Sequence, residues 1–267
     1  MNTALKDEIL EKCAVLDIPM VGVAPVERWN TPIFEPWVPE PFYPQHIFPE
    51  AHSVIVLGLP VSLPVIETTP SIYYHELYRT INSLLDQYGY RLSNFLNQKG
   101  YPSVFVPRDG YGDIDVLIDN PVAFFSHKHA AFLAGLGSFG VNNTLLTKEY
   151  GPRVRFTSIF TAAELSPDPI FRGKLCIKCM ECVRHCPVSA IEMGDYPEKL
   201  IHKDLCARYS KKLRDRYISP CGVCIKVCPV GEDRVLYGRE DVSVYGDKGK
   251  DSELRDAWEH VRGYGGK

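Results

Sequence analysis

The stretch "CIKCMECVRHCP", residues 176–187, sets Cys176, Cys179, Cys182 and Cys186 in the pattern C-x2-C-x2-C-x3-C-P. A shorter run, "CGVCIKVCP" at 221–229, adds Cys221, Cys224 and Cys228, and Cys206 stands between the two in "HKDLCARYS". Eight of the nine cysteines therefore crowd into residues 176–228. Three thiolates on one tight loop can cap three corners of an iron–sulfur cube, and the proline after the fourth suits a turn out of the loop. Zinc sites draw on cysteines in pairs, and triple runs are not pairs. Eight thiols make two sets of four, which predicts two 4Fe–4S clusters. One cube with spare thiols is the alternative, and it would leave reduced, solvent-near thiols open to oxidation.

The pattern resembles that of two-cluster ferredoxins, in which the fourth cysteine of each run reaches across to the other cube. That resemblance implies one set of Cys176, Cys179, Cys182 and Cys228. The other set is Cys186, Cys206, Cys221 and Cys224, with Cys206 in place of the ligand missing from the second run.

Most of the chain lies outside the cysteine runs. At 267 residues and 45% apolar it can bury a substantial core. A formal charge of −3 gives no basic face for nucleic acid. No apolar run is long enough to span a membrane, and "MNTALKDEILEKCAVLDI" has neither the basic region nor the apolar run of an export signal. A cytoplasmic location is expected. Disulfide frameworks belong mainly to small secreted chains, so the clustered cysteines are read as ligands. Cys13 falls on the inner face of an N-terminal helix with Leu5, Ile9 and Leu16, as a small core residue.

The first 165 residues alternate strands and helices, which predicts an α/β or α+β domain. A helix is expected over 3–16, strands over 20–24, 53–60 and 101–107, and a long helix over 71–99 closed by Gly100. The run "SVIVLGLP" is continuously apolar, so its strand should be covered on both faces. The proline- and aromatic-rich span 30–50 cannot be a regular helix and reads as a covering loop or an irregular surface segment. "SHKHAAFLAGLG" predicts a helix with Ser126 as N-cap, and strands follow at "NTLLT" and "RVRFTSIFT". A ferredoxin-like module occupies 166–235. A tail of 236–267 carries a short helix over 252–265.

Upstream of the cysteines, "AGLGSFGVNNTLLTKEYGPRVRFTSIFT" (134–161) is similar to a block of epoxyqueuosine reductases and the related reductive dehalogenases. Those are corrinoid-dependent iron–sulfur enzymes with the same interrupted second cysteine run. The resemblance covers residues 50–230. It implies a nitroreductase-like N-terminal domain that cradles cobalamin, with Gly135, Leu136, Gly137, Gly140 and Asn142 at the corrinoid face. Where the reductase family has its proton-donating aspartate this chain has Pro121, and the nearest acid is Asp119. His127 and His129 are further candidate acids. They lie two apart on the expected helix and cannot chelate one ion together. Tyr111, Asp113 and Asp115 in the preceding loop are alternatives.

The expected function is an iron–sulfur reductase passing electrons through two clusters to cobalamin or a substrate in the first domain. The alternatives are a non-catalytic electron carrier and a reductive activator of another corrinoid protein. A ferredoxin or flavodoxin would be the donor; Lys174, Lys178, Arg184 and Lys226 around the ligands could dock it, raise the cluster potential, or be solvated charges. A small molecule or a corrinoid protein would be the substrate; the slightly acidic chain argues against tRNA.

Overall fold

A computed structural model describes residues 2–34, 37–108, 112–120, 122–246 and 252–264. The chain opens with α1 (Thr3–Val15), where the Asn2 side chain accepts the Leu5 amide at 2.9 Å. That bond satisfies one of the orphan amides of the first turn. Leu5, Ile9 and Cys13 face inward, and burial pushes the Cys13 thiol up to about 12. Next come β1 (Met20–Pro25), the single turn α2 (Pro44–Ile47) and β2 (Ser53–Pro60). After α3 (Leu63–Ile66) runs the long α4 (Ile72–Gln98), capped by Ser71 Oγ on the Tyr74 amide at 3.0 Å. It stops before Gly100, whose φ of 83° is easy only for glycine.

The remaining elements of this region are β3 (Ser103–Val106), α5 (Ile114–Asp119), α6 (His127–Leu133), β4 (Ser138–Phe139), β5 (Leu145–Leu146) and β6 (Val154–Thr161). The main sheet has the order β1-β2-β6-β3 and is antiparallel throughout. β6 is the last of these strands in sequence, yet it lies between β2 and β3, pairing Ser53 with Thr161 and Val106 with Ser158. Antiparallel pairing settles the α/β or α+β expectation in favour of α+β.

Both faces of β2 are covered, as its unbroken apolar run required. Ile55, Leu57 and Leu59 join Leu5, Ile9, Leu85 and Leu92 in one core. Val54 and Val56 join Trp29, Ala130, Leu133 and Phe160 in the other. Each buried Val, Leu or Ile contributes about 1.5–3 kcal/mol by leaving water. The proline- and aromatic-rich span is a covering loop: Trp37, Val38, Tyr43, Ile47 and Phe48 pack on the second core.

The cysteine module adds α7 (Glu181–Arg184), α8 (Lys203–Arg214), α9 (Val223–Lys226) and α10 (Glu232–Leu236), and the tail supplies α11 (Ser252–Gly263). Arg153, at the foot of β6, fastens the module to the sheet. Its guanidinium grips Asp233 with two bonds of 2.6 Å and donates to the carbonyls of Cys228 (3.2 Å) and Val230 (2.7 Å). Thr69 Oγ1 donates to the Cys221 carbonyl at 2.6 Å, a second tie. Among the described residues no helix is long and apolar enough to cross a membrane.

Candidate functional site

The local backbone explains how the first cysteine run gathers its sulfurs. Lys178 and Met180 take left-handed conformations (φ 55° and 61°), unusual for residues with a Cβ, and these coil the loop around a centre. Gly222 does the same in the second run with φ 69°, and a Cβ there would stand 2.7 Å from Thr69 Oγ1.

The thiols fall into two groups. Burial pushes Cys182 up to about 12, and its next influences are Cys228, Cys179 and Cys176. Cys228 is pushed up to about 11, again mainly by burial, with Cys179 among its neighbours. In the other group, burial pushes Cys221 up to about 11 and its thiol neighbours are Cys206 and Cys186. Cys224 is raised by burial and then by Cys221, Cys206, Cys182 and Cys186, thiols of both groups. Cys176, Cys179, Cys182 and Cys228 line one small space together. All eight are free thiols. Such a donor set fits a cube, because a buried thiolate is costly alone and is stabilised by the metal it binds. Among the described residues no three His, Cys, Asp or Glu side chains stand close enough to share a single ion. A cube holds its ligands further apart than one zinc ion does.

The predicted glycine face turns out to be packing within the chain. A Cβ on Gly135 would lie 2.1 Å from the Pro169 carbonyl oxygen, and one on Gly137 would lie 1.9 Å from that of Leu146. On Gly140 it would meet Leu146 Cδ1 at 2.5 Å. These glycines let the linker and the β4–β5 hairpin approach closely. Leu136 packs against Gly22. Asn142 is buried, with its Oδ1 taken by Thr144, and it lines the small space enclosed by Cys176, Cys179, Cys182 and Cys228. It belongs beside the first thiol group.

The candidate acids separate equally clearly. Asp119 is exposed at the end of α5 and lines none of the cavities. His127 bonds Ser158 Oγ at 2.9 Å and the Pro107 carbonyl at 3.0 Å, so both ring nitrogens serve the fold. Asp113 and Asp115 pair with Arg214 and Lys211 and hold α5 on α8. Pro121 and Tyr111 lie outside the described residues.

Asp113 lines one cavity while paired with Arg214, and His129 reaches another. Its Nδ1 meets Ser126 Oγ at 2.6 Å and its Nε2 meets the Tyr196 hydroxyl at 2.7 Å. Ser126, the expected N-cap, makes this side-chain bond and no capping bond. Burial, and then the charges of Lys128 and Lys203, lower His129 to about 3, so the imidazole is neutral at ordinary pH. Tyr196 stacks on Phe139 with ring centroids 4.2 Å apart, and burial raises its hydroxyl pKa well above the ordinary value.

Tyr196 stands between two cavities. One, of about 490 Å³, is walled by Phe34, Phe132, Phe139 and Phe171 and reaches Cys176. The other, of about 340 Å³, holds Lys128, His129 and Asn143 under Trp37 and Phe125. A third, of about 470 Å³, adjoins the second through Leu117 and Lys203 and reaches Cys206. A crevice therefore follows the seam between sheet region and module, touching a thiol of each group. Sequence reasoning missed Tyr196, Lys128 and Lys203, because only the fold brings residues 128, 196 and 203 together.

Such a site, two thiol groups beside an aromatic crevice, defines an iron–sulfur redox protein. Residues 175–232 match the 4Fe-4S dicluster domain. The tetrachloroethene reductive dehalogenase of Desulfitobacterium hafniense is 26% identical over 205 residues, 71% of this chain and 35% of that protein. The epoxyqueuosine reductase of Listeria monocytogenes is 26% identical over 233 residues, 78% and 55% respectively. Among solved structures, a reductive dehalogenase described with a B12-dependent mechanism superposes with TM-score 0.63 at 22% identity, over 96% of this chain and 36% of that one. The epoxyqueuosine reductase of Streptococcus thermophilus gives 0.55 at 16% identity, over 84% and 65%. The chain is a homologue of the reductive dehalogenases and epoxyqueuosine reductases that carries a 4Fe-4S dicluster domain. Its alignment spans about a third of the length of the dehalogenases and about half that of the Listeria reductase.

Proposed function

We propose that the chain is a reductase that carries single electrons through two 4Fe–4S clusters into the crevice beside Cys176, where Tyr196 supplies a proton. Residues 1–165, with the nitroreductase-like topology the resemblance implies, would hold the reacting partner; 166–235 would deliver electrons, and 236–267 would cover the module. The supporting observation is that Cys176 and Tyr196 line one cavity while the Tyr196 hydroxyl is bonded to a neutral histidine. Cys176, Cys179, Cys182 and Cys228 would hold one cluster, and Cys186, Cys206, Cys221 and Cys224 the other.

The chemistry asked of Tyr196 follows from its surroundings. A phenol whose pKa burial has raised parts with its proton only to a strong base, such as a substrate carbon that has just gained an electron pair. The His129 Nε2–H would then hold the tyrosinate oxygen by a hydrogen bond, with Ser126 Oγ–H donating to Nδ1 to fix that tautomer, and solvent would return the proton to the phenolate. The Lys128 ammonium, 5.4 Å from the Tyr196 ring centre, stabilises the negative charge meanwhile.

A corrinoid fits the crevice in character. Phe34, Phe139 and Tyr196 offer flat apolar walls, and Lys128, Lys174 and Lys203 offer donors to its amide arms; its size calls for the adjoining cavities together. Bound there, cobalamin would supply a strongly reducing, nucleophilic metal centre. The cytoplasm is the proposed location, since reduced thiols persist there. An acidic carrier such as ferredoxin or flavodoxin is the proposed donor. Of the four cations expected to meet it, Lys226 is buried under Tyr245 and Trp258, while Lys178 pairs with Asp195 and Arg184 with Glu181.

Anaerobic protein should retain hydroxocobalamin through gel filtration. Tyr196→Phe should lower turnover by about 10²–10⁴-fold with cluster reduction by dithionite unchanged. Cluster absorption alone, with no corrinoid retained and no effect of the substitution, would favour a plain electron carrier.

A further inference from the structure

Arg234 of α10 is a fully buried cation wrapped around the end of the second cysteine run. Its Nε donates to the Cys228 carbonyl at 2.7 Å and its Nη2 to the Lys226 carbonyl. Its Nη1 donates to the Arg239 carbonyl at 2.9 Å and to the Tyr245 hydroxyl at 3.0 Å. These bonds all end on neutral oxygens. The Tyr245 hydroxyl passes its own proton to the Glu67 carboxylate at 2.8 Å, and Arg239 Nε lies 3.4 Å from that same carboxylate. Arg153 also donates to the Cys228 carbonyl, but its charge is met directly by Asp233 through two bonds of 2.6 Å. A guanidinium cannot lose its charge in a protein, so Arg234 fixes a positive charge behind the buried Cys228. The other cysteine run differs at the same interval. Arg234 stands six residues after Cys228, and six residues after Cys186 stands Glu192, half open to water and paired with Lys199 and His202.

We propose that Arg234 sets a reduction potential: its charge makes the cluster that Cys228 ligates easier to reduce, beyond fastening the loop. A reduced cube carries one more electron than an oxidised one, so a nearby positive charge favours it, and more strongly where water is excluded. The inference rests on the reductase reading, in which Cys228 joins Cys176, Cys179 and Cys182 next to the cavity at Cys176. It adds where an electron settles, on the side of the module that faces this cavity. One electron enters from the reduced carrier and one leaves to the molecule in the cavity. Arg234 keeps its protons throughout, and no bond to it forms or breaks.

A redox titration of the anaerobic full-length holoprotein, followed by EPR, reads the two potentials separately and needs no turnover. Arg234→Met should make reduction of one cluster about tenfold less favourable, a shift of about 59 mV to more negative potential for one electron, and leave the other wave in place. Arg234→Lys keeps the charge and should leave both waves near their wild-type positions, whereas a purely structural role would make the two substitutions alike. In a Cys206→Ala background the surviving wave should be the one that moves. Should Arg234→Met fail to hold its clusters, Glu67→Gln reads the same field with its shape kept: removing a negative charge should move that wave to a less negative potential. Waves that stay put, equal shifts with methionine and lysine, or a shift confined to the wave that Cys206→Ala removes would each overturn the assignment. Unmoved waves with about eight iron atoms per chain would refute it and leave the two-cluster reading standing; about four iron atoms would refute both.

Discussion

Replacing Arg153 by methionine should loosen the module from the sheet and empty the first thiol group before the rest of the chain unfolds. Arg153 is fully buried and Asp233 nearly so, and their two 2.6 Å bonds form a bidentate pair. Removing one partner of such a pair costs about 3–5 kcal/mol, because the other charge stays buried without compensation. The Val230 carbonyl also loses its 2.7 Å donor, worth a further 1–3 kcal/mol or so. The Cys228 carbonyl is spared, since Arg234 Nε donates to it at 2.7 Å as well. A total near 4–8 kcal/mol rivals the whole stability of many domains, about 5–15 kcal/mol. The damage falls on residues 228–233, which carry the only thiol that the second cysteine run contributes to the first group. Iron analysis of anaerobic protein, with the urea midpoint from circular dichroism, reads both effects. Arg153→Met should lose about half its iron and unfold at markedly lower urea. The double change Arg153→Met with Asp233→Leu should recover much of the midpoint, because it strands no charge. A single variant with full iron and an unshifted midpoint would refute the reasoning, as would a double variant no better than the single.

Two further outcomes follow from groups inside the sheet region. The neutral state of folded His129, held to about 3, contributes stability that is complete above the unfolded value of about 6.5 and is lost as pH falls between the two. At about pH 5.5 the loss should be about 1.4 kcal/mol, seen as a urea-midpoint shift that His129→Gln lacks; identical pH dependence in both proteins would count against it. Gly135→Ala places a Cβ 2.1 Å from the Pro169 carbonyl at a φ of 79°, which should cost about 2 kcal/mol or more. The drop in Tm should be the same with and without hydroxocobalamin, whereas a drop seen only with the corrinoid would restore the glycine to the cofactor.

What could be read from the sequence was whatever physics writes into local spacing. A cube dictates intervals between cysteines, so the eight clustered thiols stand out before any fold is known. The unbroken run at 53–60 announced a strand covered on both faces, and Gly100 marked the end of α4. Pairing between distant strands leaves no local trace, so the placing of β6 between β2 and β3 was hidden. The helix α8 was hidden for another reason: its inward positions Cys206, Ala207 and Ser210 face a ligand site and a cavity, and they carry no apolar stripe. His127 and His129 look alike in sequence and differ only in partners, a β6 serine and a carbonyl for one, Tyr196 for the other. Glycines at 135, 137 and 140 promised a close approach without saying of what. The neighbour is the chain's own backbone and Leu146.

The electron path through two cubes is the claim on which the proposed function depends, and spin counting by EPR on the fully reduced protein tests it most directly. The wild-type chain should integrate to about two spins, with the mutual broadening of neighbouring clusters, and Cys206→Ala should leave about one. A single spin in the wild type, or two spins that survive Cys206→Ala, would contradict the account.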